Sequence, residues 1–378
     1  MFFFFIKKFL ISINKYLKIK FCSRNMFGSI GHTVVELDYF FQLLHKYKIY
    51  KFKFIFLSNK NRMAKEAYKL FSNYFFASII SDKIDYIIKK FILKPSNNLG
   101  IDFGLSSIRL GHEKGNYPLD FVFKKYINYF KLRRDNKNFN PFKEISFSKQ
   151  LKFFLNEVIG DSKYIVIQIK QQKGNSTILK TDPKTYLKSI KFYQEKKYKI
   201  IFAGRSEIIP KEFEDIGVVD YSQFKHASFQ TDLNLISASD LVISGASGFA
   251  NIAQVYDIPC VYANSWHIVL TPSSKYCVHL PYKFLKRETG LLSNYDEIIK
   301  LYLNKYNQDF HGEDIYEVIC NTEDEILQAS IEALNLKKNY FEPHQVYLKF
   351  KDKYKGLPIR YCDTRISTHF INNYEELF

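Results

Sequence analysis

The chain has 378 residues, which suits two domains or one large one, and its apolar content is sufficient for ordinary cores. Lys plus Arg less Asp plus Glu is 56 − 38 = +18, which points to an anionic partner. Yet 37 Phe and 28 Tyr beside one Trp and three Met are what an AT-rich genome encodes, so charge alone does not identify that partner. Five scattered cysteines without a Cys-x-x-Cys pair exclude a disulfide frame or a zinc site of that type and read as free thiols in a reducing compartment.

Residues 1–20 carry Lys7, Lys8, Asn14, Lys15 and Lys18 near one helical face, with Phe, Ile and Leu on the rest. Such a segment can lie flat on an anionic bilayer, but it is too short and too often interrupted by Lys to span one. It lacks the charge order and small-residue cleavage site of a signal peptide. An ordinary first helix packed on the body accounts for the same pattern. Next, the turn Gly28-Ser29-Ile30-Gly31 runs into a helical pattern through about Tyr47. Residues 51–57 read as a strand, 62–76 as a helix, 77–80 as a short apolar piece and 83–92 as a helix. From about 94 to 140 the periodicity fades, and 111–118 is a loop.

A domain boundary is expected near 156–162, giving an N-terminal Rossmann-like domain over 1–158, a second over 159–335 and an extension over 336–378. In the second half, 164–170 is a strand, 183–196 a helix capped by Asp182, and 198–203 a strand ending in Gly204-Arg205. Residues 217–221 form a short strand and 232–239 a short helix. The central stretch follows, Asp240-Leu-Val-Ile-Ser-Gly-Ala-Ser-Gly-Phe-Ala-Asn-Ile-Ala-Gln-Val-Tyr-Asp257: strand, small-residue turn, helix. A turn of that kind at a helix N-terminus offers backbone N–H groups and partial positive charge to a phosphate. It is also what any tight βα turn looks like. Helices follow at 294–305 and behind the capping box Thr322-x-x-Glu325. Crossovers of this length suit a doubly wound parallel sheet, with Lys170, Arg205 and Ser244 to Gly248 at its carboxyl ends.

The motifs Phe27-Gly-Ser-Ile-Gly-His-Thr-Val-Val-Glu36, Ile169-Lys170 with Lys180 to Tyr186, Phe202-Ala-Gly-Arg205, Val219-Asp-Tyr221, Ser244-Gly-Ala-Ser-Gly-Phe249 and Ile258-Pro259 stand in an order that resembles a glycosyltransferase family of bacterial surface-polysaccharide clusters. The resemblance extends through residues 320–326 to Thr368-His-Phe370 and thus covers nearly the whole chain. More distantly, Gly28 to Gly31 and Gly245 to Gly248 look like turns of heptosyltransferases. The resemblance implies an α/β chain of GT-B fold, two Rossmann-like doubly wound domains facing a central cleft, with no metal and no cofactor. It departs at Lys170-Gln171, where members carry Arg-Asp; Lys can pair with phosphate as a point charge but lacks the bidentate fork.

By that resemblance His32 stands where heptosyltransferases carry the carboxylate base, and an imidazole with an ordinary pKa of about 6.5 can take a proton near neutral pH. Capping of its own helix is the plainer role. Glu36, one turn on, can orient His32 or replace it. Gly28, Ser29 and Gly31 form the acceptor-side turn. For the donor, Ser244, Gly245, Ser247 and Gly248 would hold the diphosphate, with Lys170, Gly204 and Arg205 at neighbouring strand ends and the two cations neutralising the leaving group. Asn251 can reach the ribose, and Tyr221 can stack on the base or belong to the core. His112-Glu113 reads as solvent-facing, and His311-Gly-Glu-Asp314 as a cap before a helix rather than a metal cluster.

The expected activity is transfer of a sugar from a nucleotide-sugar donor to a lipid-linked or surface glycan acceptor in polysaccharide or lipopolysaccharide synthesis. An inverting course rests on the heptosyltransferase likeness alone. The expected location is cytoplasmic, peripheral on the inner membrane face through residues 1–20. Rival readings are another glycan-modifying transferase such as a pyruvyl transferase, a nucleotide-sugar epimerase, or a non-catalytic basic binding protein. Nucleic acid is not expected as a partner, because the Lys residues are spread along the chain and no compact Arg-rich or Gly-aromatic box occurs.

Overall fold

A computed structural model describes residues 19–23, 29–48, 53–58, 62–75, 77–80, 100–102, 119–169, 181–204, 208–304 and 314–378. The chain divides into two compact units, Met1–Ile145 with Ser228–Gln230, and Ser146–Ala227 with Thr231–Phe378. The C-terminal residues beyond 335 therefore belong to the second unit.

The first unit contains β1 (Ile19–Ser23), α1 (Ile30–Tyr47), β2 (Lys53–Ser58), α2 (Arg62–Leu70), β3 (Ala77–Ile80), β4 (Gly100–Asp102) and α3 (Leu119–Asp135). Its sheet is wholly parallel in the order β3-β2-β1-β4, so the chain winds outward both ways from β1. Residues 1–18 and 83–92 lie outside the described residues, while Ile19 and Lys20 belong to β1. Helix α1 forms because Val34, Leu37, Phe40, Phe41 and Leu44 recur at helical spacing, and all five are buried. Phe40 stacks on Phe75 at 5.3 Å and meets Phe54 edge-on at 5.4 Å, while Phe41 packs on Phe71 and Tyr74 at 4.9 and 4.7 Å. Asp38, on the same helix, is buried and accepts from Tyr129 Oη at 2.6 Å, Gln42 Nε2 at 3.2 Å and the Arg133 guanidinium. This ties α1 to α3, a helix the fading periodicity of 94–140 conceals, because Lys124, Lys131 and Arg133 interleave with buried Val122, Phe123, Tyr129 and Leu132.

The second unit runs α4 (Lys149–Val158), β5 (Tyr164–Gln168), α5 (Leu187–Glu195), β6 (Lys199–Phe202), α6 (Lys211–Glu214), β7 (Val219–Asp220), α7 (Phe229–Ser237), β8 (Leu241–Ser244), α8 (Gly248–Tyr256), β9 (Cys260–Ser265), β10 (Cys277–Pro281), β11 (Lys283–Lys286), α9 (Tyr295–Asn304), β12 (Tyr316–Ile319), α10 (Glu323–Lys338), α11 (Gln345–Asp352), β13 (Arg365–Ile366) and α12 (Thr368–Asn373). Seven strands pair in parallel in the order β13-β10-β9-β8-β5-β6-β7, and β11 and β12 form a separate antiparallel pair. β5 and β8 are fully buried apolar runs until their last residues, Gln168 and Ser244. The chain leaves β5 toward β6 and β7, then returns to β8 and continues toward β9 and β10. The switch point of this doubly wound sheet thus lies between β5 and β8.

Helix α10 begins with the expected capping box: Glu325 N donates to Thr322 Oγ1 and Thr322 N to Glu325 Oε2. Glu325 also accepts from buried Lys283 Nζ at 2.6 Å. Just upstream, Asn264 and Asn321 exchange backbone N–H to side-chain oxygen bonds, each of 2.7 Å, and Asn264 adopts a left-handed φ of 49°. The chain ends packed on this unit: Phe378 meets Tyr295 and Phe350 at 5.0 and 5.4 Å.

Candidate functional site

In an open parallel sheet the crevice at the switch point lies beyond the carboxyl ends of the strands, and here those ends are Gln168 and Ser244. Gly245 N donates to Gln168 O at 3.0 Å, continuing the β5–β8 ladder one step into the turn. The chain then folds tightly, Ser247 N donating to Gly245 O at 2.6 Å. Ser247 is the N-cap of α8, extended at φ −135° and ψ 167°, and its Oγ accepts from Phe249 N. Helix geometry leaves the N–H groups of Gly248 and Ala250 without intrahelical acceptors. Dipole and N–H groups thus favour a phosphate at the carboxyl edge of β8.

The other candidates are distributed around this turn and in the first unit. Ser244 and Gly245 are buried, Ser247, Gly248 and Asn251 half-buried, and Gly204 is buried at the end of β6. Lys170, Arg205 and Gly28 lie outside the described residues, as do His112, Glu113 and His311. Tyr221 takes the core role and not the stacking one. It is 1% exposed, its ring packs against Phe224 at 5.5 Å and Phe154 at 6.1 Å, and its Oη contacts Thr231 Oγ1 at 2.9 Å and Asp232 Oδ1 at 3.2 Å. Its burial and the bonds of its hydroxyl argue against a place for Tyr221 in the donor set.

In the first unit Ser29 is the N-cap of α1, yet its side chain makes no capping bond. Its Oγ lies 2.6 Å from His32 Nδ1, while its carbonyl accepts from Thr33 N and Thr33 Oγ1. His32 is half-buried, Gly31 buried and Glu36 fully buried. A carboxylate with no exposed surface is poorly placed to meet an acceptor hydroxyl directly, which argues against Glu36 as the base.

Sequence reasoning missed Gln168 and the residues beyond β9. Gln168, 5% exposed, puts its side chain against Ser244. Beyond β9, Trp266 packs on His267 with ring centres 4.2 Å apart, and on β10 His279 is buried beside the Tyr262 ring at 5.4 Å, its pKa pushed down to about 3 by burial. A polar residue closing an otherwise apolar strand is the signal that marks Gln168. Among the described residues, no group of three His, Cys, Asp or Glu side chains is placed to hold a metal ion, and no helix is long and apolar enough to cross a membrane.

No family model matches the chain, and no curated protein matches it. Solved structures similar to it include a family 9 glycosyl transferase from Veillonella parvula, 10% identical with a TM-score of 0.48, covering 84% of this chain and 97% of that one. The ADP-heptose LPS heptosyltransferase II of E. coli is 11% identical at TM-score 0.48, over 85% and 99% of the two chains. The iron-containing dodecameric glycosyltransferase TibC of enterotoxigenic E. coli is 13% identical at 0.47, over 85% and 77%. Likeness of this degree carries no chemistry from those proteins to this one.

Proposed function

We propose that the chain is a glycosyltransferase of GT-B type that moves a sugar from a nucleotide-sugar donor to a lipid-linked or surface glycan acceptor in bacterial polysaccharide or lipopolysaccharide synthesis. The observation that supports this most is the position of the Ser244–Gly248 turn: a capped helix N-terminus at the switch point of a doubly wound parallel sheet. The donor diphosphate occupies the N–H groups of Gly248 and Ala250, and Lys170 and Arg205 neutralise the charge that develops on the leaving nucleotide. His32 removes the acceptor proton. For Nε2 to act as base, Nδ1 must carry the ring proton and donate to Ser29 Oγ, the tautomer that the 2.6 Å contact accommodates. Attack at the anomeric carbon then proceeds with inversion and without a metal. In this reading the protein works at the cytoplasmic membrane face, with residues 1–18 against the lipid.

The test is incubation of the purified chain with nucleotide sugars and a lipid-linked glycan extract, following nucleotide release and acceptor mass. A glycosylated product formed together with free nucleotide, lost in His32→Ala, is expected. A modified glycan formed without nucleotide release would instead select the other-transferase reading.

A further inference from the structure

At one level of the seven-stranded sheet, register places Gln168, Ser244, Tyr262 and His279 side by side on four adjacent parallel strands. Residues in such a row face the same side of the sheet, and all four are buried. A polar row replaces an apolar one at the carboxyl edge, and its β5 end carries a chain of hydrogen-bond contacts. Gln168 Nε2 donates to Ile169 O at 3.1 Å, which turns Oε1 toward Ser244. Ser244 Oγ has one proton and two carbonyl acceptors, Gln168 Oε1 at 3.4 Å and Gly245 O at 3.0 Å. Ser244 Oγ also lies 2.9 Å from Ser247 Oγ, a contact in which either hydroxyl can donate. Ser247 Oγ in turn accepts from Phe249 N at 3.3 Å. The Ser247 hydroxyl is thereby committed inward as a cap, and the main-chain N–H groups of the first turn are what face a ligand.

We propose that Gln168 is a positioning residue for the phosphate turn, acting through Ser244 and Ser247 and touching no ligand itself. This rests on the donor-site reading above. Gln168 holds the turn twice, by its carbonyl to Gly245 N and by its side chain to Ser244. A side chain without the acceptor removes one of the contacts that hold Ser244 against Ser247.

The experiment is calorimetric binding of UDP, GDP, CDP and ADP to the full chain, its Gln168→Leu, Ser247→Ala and double variants, and Val166→Ala. Val166 lies two residues earlier on β5, buried on the same face, and serves as a purely structural comparison. Gln168→Leu is expected to weaken the preferred nucleotide about tenfold, the scale of one net hydrogen bond. The double variant should bind no more weakly than Ser247→Ala alone, because both act through one chain. Val166→Ala should lower the melting temperature and leave affinity unchanged. Native affinity in Gln168→Leu, or losses that multiply in the double variant, would overturn the positioning role alone. A native chain that binds none of the four nucleotides would overturn the donor-site reading and this role with it.

Discussion

Replacing Glu325 by Ala removes two interactions at once. Its Oε1 takes the Lys283 ammonium at 2.6 Å, and its Oε2 takes Thr322 N at 2.8 Å at the start of α10. Lys283 is 4% exposed and Glu325 2%, so the variant leaves a buried cation with Tyr374 Oη at 3.3 Å and the Tyr374 and Phe370 rings at 4.8 and 5.9 Å, and no carboxylate partner among the described residues. Breaking a buried pair by deleting one partner costs about 3–5 kcal/mol, and losing a cap about 0.5–2. The two share one side chain and do not add fully, so a loss of roughly 4 kcal/mol is expected, or roughly 8–16 °C in melting temperature for a unit of this size. The assay is intrinsic to the chain: its one tryptophan, Trp266, is buried in the second unit, so tryptophan fluorescence in urea reports that unit's unfolding. Lys283→Met with Glu325→Gln keeps the cap acceptor, removes both charges and should recover at least about half the loss. A single variant within about 1 kcal/mol of native, or a double variant no better than the single, would refute the reasoning.

His279 is held neutral by burial, its pKa pushed down to about 3, so the unfolded chain binds the extra proton below about 6.5. Its contribution is complete above pH 6.5 and declines as pH falls toward 3, by up to about 1.4 kcal/mol per unit; His279→Gln should flatten that part of the stability–pH curve, read by urea titration. Asn264→Gly keeps the left-handed backbone but strands Asn321 N without its 2.7 Å acceptor, costing about 1–3 kcal/mol; Asn264→Ala should be worse by on the order of 0.5–1, measured in the same way. Cys260, Cys277 and Cys362 are buried; a hydrogen bond with Cys277 and then burial raise the thiol pKa of Cys260, and burial raises that of Cys362. Peptide mapping after brief alkylation of the native chain should find these three unmodified and half-buried Cys320 labelled before them.

How legible this was depended on what each segment records locally. The strands 164–168, 199–202 and 241–244 and the turn into α8 announce themselves because both faces are buried, so apolar runs and small-residue turns coincide. The capping box at Thr322 and Glu325 is equally local, and both of its bonds form. Strands β10 and β13 were not legible: Cys277–Pro281 and Arg365–Ile366 are short, and they become strands only by adding to the edge beyond β9. Helix α3 was hidden by basic residues that interleave with its buried apolar ones. At the site, sequence named the Ser244–Gly248 turn because Gly and Ser cluster there. It could not separate Tyr221 from a ligand-facing tyrosine, since that distinction lies in partners 10 residues away at Thr231 and on the neighbouring helix at Phe154. Gln168 went unremarked because its meaning comes from register against Ser244, a non-local fact.

The most direct test of the central claim is calorimetric titration of the full chain with UDP, GDP, CDP, CMP and ADP, with Arg205→Ala and His32→Ala beside it. Selective binding of one nucleotide, weakened by Arg205→Ala and retained by His32→Ala, is the predicted result, since the donor diphosphate is assigned to the second unit and the base to the first. No binding of any nucleotide by folded native protein would contradict the account.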